Sequence, residues 1–241
     1  MNLRIFESVS ELNQDLASYV IEIANKAIDT KGRFDFVLTG GNSPKELYKS
    51  LATSYKDQID WTKVYFFIGD ERNVPADHKD YNGLMAQETF LNELQIPTAQ
   101  VFLVNTTLAP DDAALAYKQA IDQHFKQDEL IFDLILLGIG DDAHTASIFP
   151  FTDLVNNQEE NVAAVWVEKL NTYRISFTAP LINNAKNIAF LAYGANKAEA
   201  LKHVLGDEEK DYATYPAQLI NPINGEVDWF LDDASAKFLS R

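Results

Sequence analysis

The 241 residues, 46% of them hydrophobic, suit a single large α/β domain spanning 1–241. A formal charge of −16 offers no basic footprint for nucleic acid or anionic lipid, and no apolar run approaches the roughly 20 residues of a membrane span. Cysteine is absent, which excludes disulfides and thiolate metal sites and suits a reducing cytoplasm.

The first 31 residues read as a helix. MNLRIFESVSELNQDL lacks the basic-then-apolar order of a secretory leader. Leu12, Leu16, Tyr19, Val20, Ile23 and Ala27 share one face, Ser8 with Glu11 fits a capping box, and Gly32 is the stop. Strand-like runs follow, each ending in a polar turn. FDFVL (34–38) leads into TGGNSP and the helix-like KELYKSLATSY. VYFFI (64–68) leads into GDERNVPADHKD and the helical YNGLMAQETFLNEL. VFLV (101–104) precedes a helix with Ala114, Tyr117, Ile121 and Phe125 on one side. FDLILL (132–137) runs into GIGDDAHTASIFP. Later, VAAVWV, YRISFTA, NIAFLAY and VDWFL read as strands and NKAEALKHVL as a helix. Continuous apolar strands separated by helices predict a mostly parallel sheet with helices on both faces. In such a sheet ligands sit at the carboxyl ends of the strands. The turns TGGNSP, GDER and GIGDDAH are therefore expected along one edge.

Four stretches carry the candidate chemistry. In TGGNSP, Gly40 and Gly41 permit a tight turn, and Ser43 followed by Pro44 predicts an N-cap and first helical position. With Asn42 this turn would offer free N–H groups to an anion; the plainer reading is a capped β–α turn with no ligand. In GDER, Asp70, Glu71 and Arg72 directly follow an apolar strand. Arg72 is suited to bidentate contact with a phosphate, or to a loop salt bridge. His78, amid charged neighbours, reads as a solvated loop residue. In GIGDDAHTASIFP, Asp142 stands two residues before His144, an arrangement that orients an imidazole as a general base and raises its basicity. The alternative is a hydrogen-bonded histidine capping the next helix. Ser147 lacks a nucleophile-elbow context, and four scattered histidines make no metal cluster. In EKLNTYRISFTAP, Lys169 and Arg174 flank a strand start, as anion ligands or as exposed cations. His124, beside Phe125, reads as a surface or hydrogen-bonded residue.

Together these motifs resemble the 6-phosphogluconolactonase family. The resemblance rests on GGNSP (40–44), GDERNVP (69–75) with Asn82, GIGDDAHTASIFP (138–150), Lys169 five residues before Arg174, Pro180–Asn183, Gly194–Ala198 and a late segment from Pro216 to Asp232. It implies a Rossmann-like α/β fold shared with sugar-phosphate deaminases and isomerases. It also implies hydrolysis of 6-phospho-D-glucono-1,5-lactone, a step of the oxidative pentose phosphate pathway, with no metal or organic cofactor. His144 would activate water, Asp142 would orient it, and Arg72 would stabilise developing charge or hold the phosphate. Gly40, Gly41, Asn42, Ser43, Asp70, Glu71, Lys169 and Arg174 would bind substrate. A cytoplasmic monomer is expected. Ala143 and Phe151 stand where the family usually has Gly, Tyr81 where Ser is usual, and Leu170-Asn171-Thr172 replaces a proline-rich run. If position 143 needs positive φ, Ala costs on the order of 1 kcal/mol there.

Two other readings stand beside this one. A glucosamine-6-phosphate deaminase or isomerase would typically show MDEY and HIAFNEP where this chain has GDER and HTASIFP. A sugar-phosphate binding module would have no need of a general base.

Overall fold

The computed structural model describes residues 1–159, 161–207 and 209–239. Seven strands form one wholly parallel sheet, in the order β1-β10-β9-β6-β2-β3-β5. These are β1 (Asn2–Phe6), β2 (Phe34–Leu38), β3 (Val64–Ile68), β5 (Val101–Phe102), β6 (Leu134–Leu137), β9 (Asn187–Ala192) and β10 (Glu226–Asp232). The central strands are apolar, apart from the ion-paired Asp35 of β2 and Asn187 at the start of β9, because both faces are covered. Phe34, Phe36 and Leu38 of β2 enter one core with Leu12, Leu16 and Val20 of helix α1 (Val9–Lys31) and Leu47 and Leu51 of α2 (Lys45–Thr53). Val37 enters the opposite core, with Tyr117, Ile121 and Phe125 of α4 (Pro110–Phe125) and Leu201 of α6 (Ala198–Leu205). The alternation along β2 is the period-2 pleat seen from inside.

Residues 2–6 are not helical. They form an edge strand parallel to β10, and α1 begins only at Val9. A five-residue run is too short for its periodicity to separate strand from helix. Ser8 sits in extended backbone, and its side chain accepts a hydrogen bond from the Glu11 N–H; Gly32 stops α1 at φ 83°, as expected. The strand at 101–104 is shorter than its apolar run, two residues rather than four.

A second, smaller sheet stands beside the parallel one. The strands β4 (Asp70–Arg72), β8 (Thr172–Phe177) and β7 (Val162–Val167) are antiparallel, in that order. Four residues join β7 to β8, and so short a link permits only a hairpin. Val165, Val167, Ile175 and Phe177 turn into the same core as α4. The small sheet therefore leans on the large one and brings β4 and β8 to the carboxyl edge of β6.

Candidate active site

The three turns expected along one edge do converge. A cavity of about 390 Å³ opens at the carboxyl ends of β2, β3 and β6, walled by Gly40–Ser43, Asp70, Arg72, Asn82, His144, Lys169 and Arg174.

The turn after β2 differs in detail from the sequence reading. Ser43 is not the N-cap. Helix α2 begins one residue later, Pro44 occupies the cap position at φ −82°, and no side chain caps it. The uncapped turn lines the cavity, with Gly41 at φ 84°. Gly40 is required by close approach: a Cβ there would lie 2.0 Å from the Asn82 amide oxygen. That amide is held in place by donating to the Asp70 carbonyl at 2.7 Å.

The loop Gly138–Pro150 contains no regular helix, so His144 caps none. It is tied down at several points. The Gly140 N–H donates to the His144 carbonyl at 2.8 Å, the Thr145 hydroxyl donates to the Gly138 carbonyl at 2.9 Å, and the Ala217 N–H donates to the Ala143 carbonyl at 2.9 Å. Ser147 donates its hydroxyl to Asp70 at 2.6 Å, and Ser176 accepts from the Ser147 N–H at 3.1 Å. His144 Nδ1 lies 2.5 Å from Asp142 Oδ1, and a Cβ on Gly140 would collide with both groups. Phe149 stacks on the imidazole at 3.9 Å. With Nδ1 on the carboxylate, the proton-accepting nitrogen is Nε2.

Basicity departs from expectation. Burial pushes the His144 pKa down to about 4; the nearby cations Lys197 and Arg174 push the same way, against Asp70 and Asp141. The imidazole is therefore neutral and able to accept a proton throughout the neutral range.

Glu71, expected to bind substrate, does not line the cavity. It is fully buried behind the cavity. Its carboxylate accepts hydrogen bonds from the N–H groups of Arg72 (2.7 Å), Asn82 (2.7 Å) and Gly83 (2.9 Å), which joins β4 to the start of helix α3 (Asn82–Ala86). Asp142 also does not line this cavity; it stands behind His144, with one oxygen on Nδ1 and the other on the Lys169 ammonium.

Arg72 and Arg174 do line it, as does Lys197. None of the three has a carboxylate within 4 Å among the described residues. Arg72 donates to the Asp80 carbonyl at 2.7 Å, and the Arg174 Nε is buried without a partner. Burial, followed by the charge of Arg72, lowers the Arg174 pKa; burial lowers that of Lys197. Unpaired cations gathered in so acidic a chain make a site for an anion. Lys197 carries a visible signal in the sequence, as the lysine of the Gly194–Ala198 helix start, but that motif alone assigns it no role. His124, by contrast, is the hydrogen-bonded residue expected, 2.7 Å from buried Asp35 and far from the cavity in sequence and fold.

Residues 7–229 match the family model for glucosamine-6-phosphate isomerases and 6-phosphogluconolactonase. The chain belongs to that family. It is 36% identical to a probable 6-phosphogluconolactonase 1 of Oryza sativa subsp. japonica, across 98% of this chain and 84% of the relative. It is 39% identical to a 6-phosphogluconolactonase of Nostoc sp., across 89% of this chain and 88% of the relative. The solved 6-phosphogluconolactonase from Trypanosoma cruzi superposes with a TM-score of 0.85 at 26% identity, covering 100% of this chain and 97% of that one.

Within the family motif, both glycine replacements fall on left-handed backbone. Ala143 has φ 59° and Phe151 φ 61°. The conditional cost attached to Ala143 therefore applies, on the order of 1 kcal/mol.

No helix among the described residues is long and apolar enough to cross a membrane, and they hold no cluster of three metal-ligating side chains.

Proposed function

We infer that this family member hydrolyses 6-phospho-D-glucono-1,5-lactone to 6-phospho-D-gluconate. The observation that carries the reading is one cavity holding both a neutral, carboxylate-oriented imidazole and three cations without carboxylate partners.

On this reading His144 Nε2 takes a proton from water as the water oxygen bonds to the lactone C1. The carbonyl electrons move onto oxygen, and Arg72 with the N–H groups of the 40–43 turn stabilises that charge. When the tetrahedral intermediate collapses, the bond from C1 to the ring oxygen breaks and His144 returns its proton to that oxygen. A carboxylic acid and a free hydroxyl result, and the acid then ionises. Asp142 keeps the imidazole in the required tautomer and favours its transient cation. Arg174 and Lys197 take the phosphate. This supplies the partner that the buried Arg174 Nε lacks. A δ-lactone is already a reactive ester, so the reading requires no metal or cofactor. On the same reading the protein works as a monomer, and in the cytoplasm, a compartment its lack of cysteine suits.

The test is acid release from freshly generated 6-phosphoglucono-1,5-lactone above its spontaneous rate, with unphosphorylated gluconolactone beside it. Fast turnover of the phosphorylated lactone alone is expected. No acceleration of either would sink the reading, and ammonia release from glucosamine 6-phosphate would be measured next.

A further inference from the structure

We propose that Lys169 is a positioning residue for the general base, fixing Asp142 so that Asp142 fixes His144, and that it does not bind the substrate phosphate. The proposal rests on the reading of His144 as the base.

The two oxygens of Asp142 are divided between two partners. Oδ1 accepts from the His144 backbone N–H at 3.3 Å and faces Nδ1 at 2.5 Å. Oδ2 receives the Lys169 ammonium. Asp142 is itself a quarter exposed, with no other side-chain partner among the described residues. Without Lys169 its carboxylate could turn about its terminal torsion, which is broad and soft. Held at both oxygens, it presents one fixed acceptor to Nδ1.

A second contact reaches the same imidazole. The Lys169 ammonium lies 4.9 Å above the centre of the Phe149 ring, and that ring stacks on His144. Lys169 therefore braces both the carboxylate and the ring that confine the base. Its own backbone is set in a tight turn. Glu168–Leu170 form a single 3-10 turn between β7 and β8, closed by the Asn171 N–H donating to the Glu168 carbonyl at 3.0 Å, with Asn171 at φ 47°.

Charge accounting points the same way. Arg72, Arg174 and Lys197 line the cavity with no carboxylate partner, whereas Lys169 is already neutralised by Asp142. Drawing Lys169 onto a phosphate would leave Asp142 Oδ2 without its ammonium partner, and only His144 would then hold the carboxylate. Three other cations can hold the phosphate without that cost.

A phosphate ligand and a brace for the base differ in their kinetic signatures. In Lys169→Met we expect kcat to fall about tenfold through misorientation of the base, with KM for the phosphorylated lactone and the inhibition constant of inorganic phosphate unchanged. Lys169→Arg, which keeps the charge, restores most of kcat. The charged groups acting on His144 are Asp142 and Lys169 behind it, and Asp70, Asp141, Lys197 and Arg174 around the cavity. Removing the Lys169 charge leaves the Asp142 field unopposed. The His144 imidazole, followed by NMR titration, then takes up its proton at higher pH, and the acid limb of kcat moves up with it. A rise in KM and in the phosphate inhibition constant with kcat intact would overturn the proposal. So would an unmoved His144 titration. If the wild-type protein hydrolyses neither lactone, the functional reading itself fails; if it hydrolyses normally and Lys169→Met matches it in kcat and titration, only the role of Lys169 fails.

Discussion

Arg72 and Arg174 are register partners on β4 and β8, two guanidiniums side by side at the mouth of the cavity. Like charges placed together with no carboxylate within ion-pair distance among the described residues destabilise the empty protein, an effect the more distant Asp70, Glu71 and Asp80 offset without overturning, and the orphaned Arg174 Nε adds the cost of a buried unsatisfied donor. Removing Arg174 should therefore stabilise the fold while weakening phosphate binding.

We expect Arg174→Met to raise the thermal stability of the ligand-free protein by about 1 kcal/mol. Inorganic phosphate should raise the melting temperature of the wild type by mass action and that of the variant much less. KM for the phosphorylated lactone should rise roughly tenfold or more, as for a lost charge-assisted contact. A variant less stable than wild type, yet equally protected by phosphate, would place the anion elsewhere.

Burial lowers the His144 imidazole to about 4, and on the proposed mechanism its neutral form is the base. Activity should stay level as pH falls from 7 to about 5, then drop as the imidazole gains a proton. The stability sign follows. The folded pKa is depressed below the ordinary value of about 6.5, so between pH 6.5 and 4 the unfolded chain binds the proton and the folded one does not. Within that window this group makes stability rise with pH. His144→Asn should cut kcat by at least about 10²-fold and remove the slope. An acid limb near pH 6.5 would show that the imidazole, a quarter exposed, is not lowered by its burial.

Ala143 and Phe151 hold φ of 59° and 61° on either side of the HTASIFP segment. Ala143→Gly should stabilise by about 1 kcal/mol, because glycine adopts this backbone without a Cβ penalty. For a chain of this size that is a rise of roughly 2–4 °C in Tm. Phe151→Gly should also gain, since its side chain is 78% exposed and contributes little packing. A fall in Tm for Ala143→Gly would mean that burial of its methyl outweighs the backbone strain.

The fold and most of the residues that line the cavity could be read from the sequence, for reasons visible in particular elements. β2, β3, β6 and β9 are covered on both faces, so each appears as an apolar run broken only by Asp35 in β2 and Asn187 at the start of β9, and the turns after β2, β3 and β6 fall where the parallel sheet requires. β4 is the opposite case. It consists of Asp70, Glu71 and Arg72, and it is a strand only because β8, a hundred residues later, pairs with it. No local pattern encodes that. Glu71 is misread for the same reason: a charge in a polar turn looks exposed, and only the fold surrounds it with three N–H donors. Lys197 escapes notice because its role depends on Arg174 and Asp141 arriving from other segments.

Glu71 provides the last test. Burial raises its pKa to about 7, against the pull of its three N–H donors. A folded-state pKa above the ordinary value gives stability that is complete below about pH 4.5 and is lost as pH rises through 7. This slope is opposite in sign to that of His144. Glu71→Gln removes the titration, so the stability of the variant relative to wild type should improve as pH rises from 5 to 8, by on the order of 2–3 kcal/mol. The amide also replaces one acceptor oxygen with an NH2 that cannot receive the Gly83 N–H. The start of α3 and the Arg72 backbone should loosen, and kcat/KM should fall at every pH while the His144 acid limb stays where it was. A stability difference independent of pH would show that Glu71 does not titrate in this range.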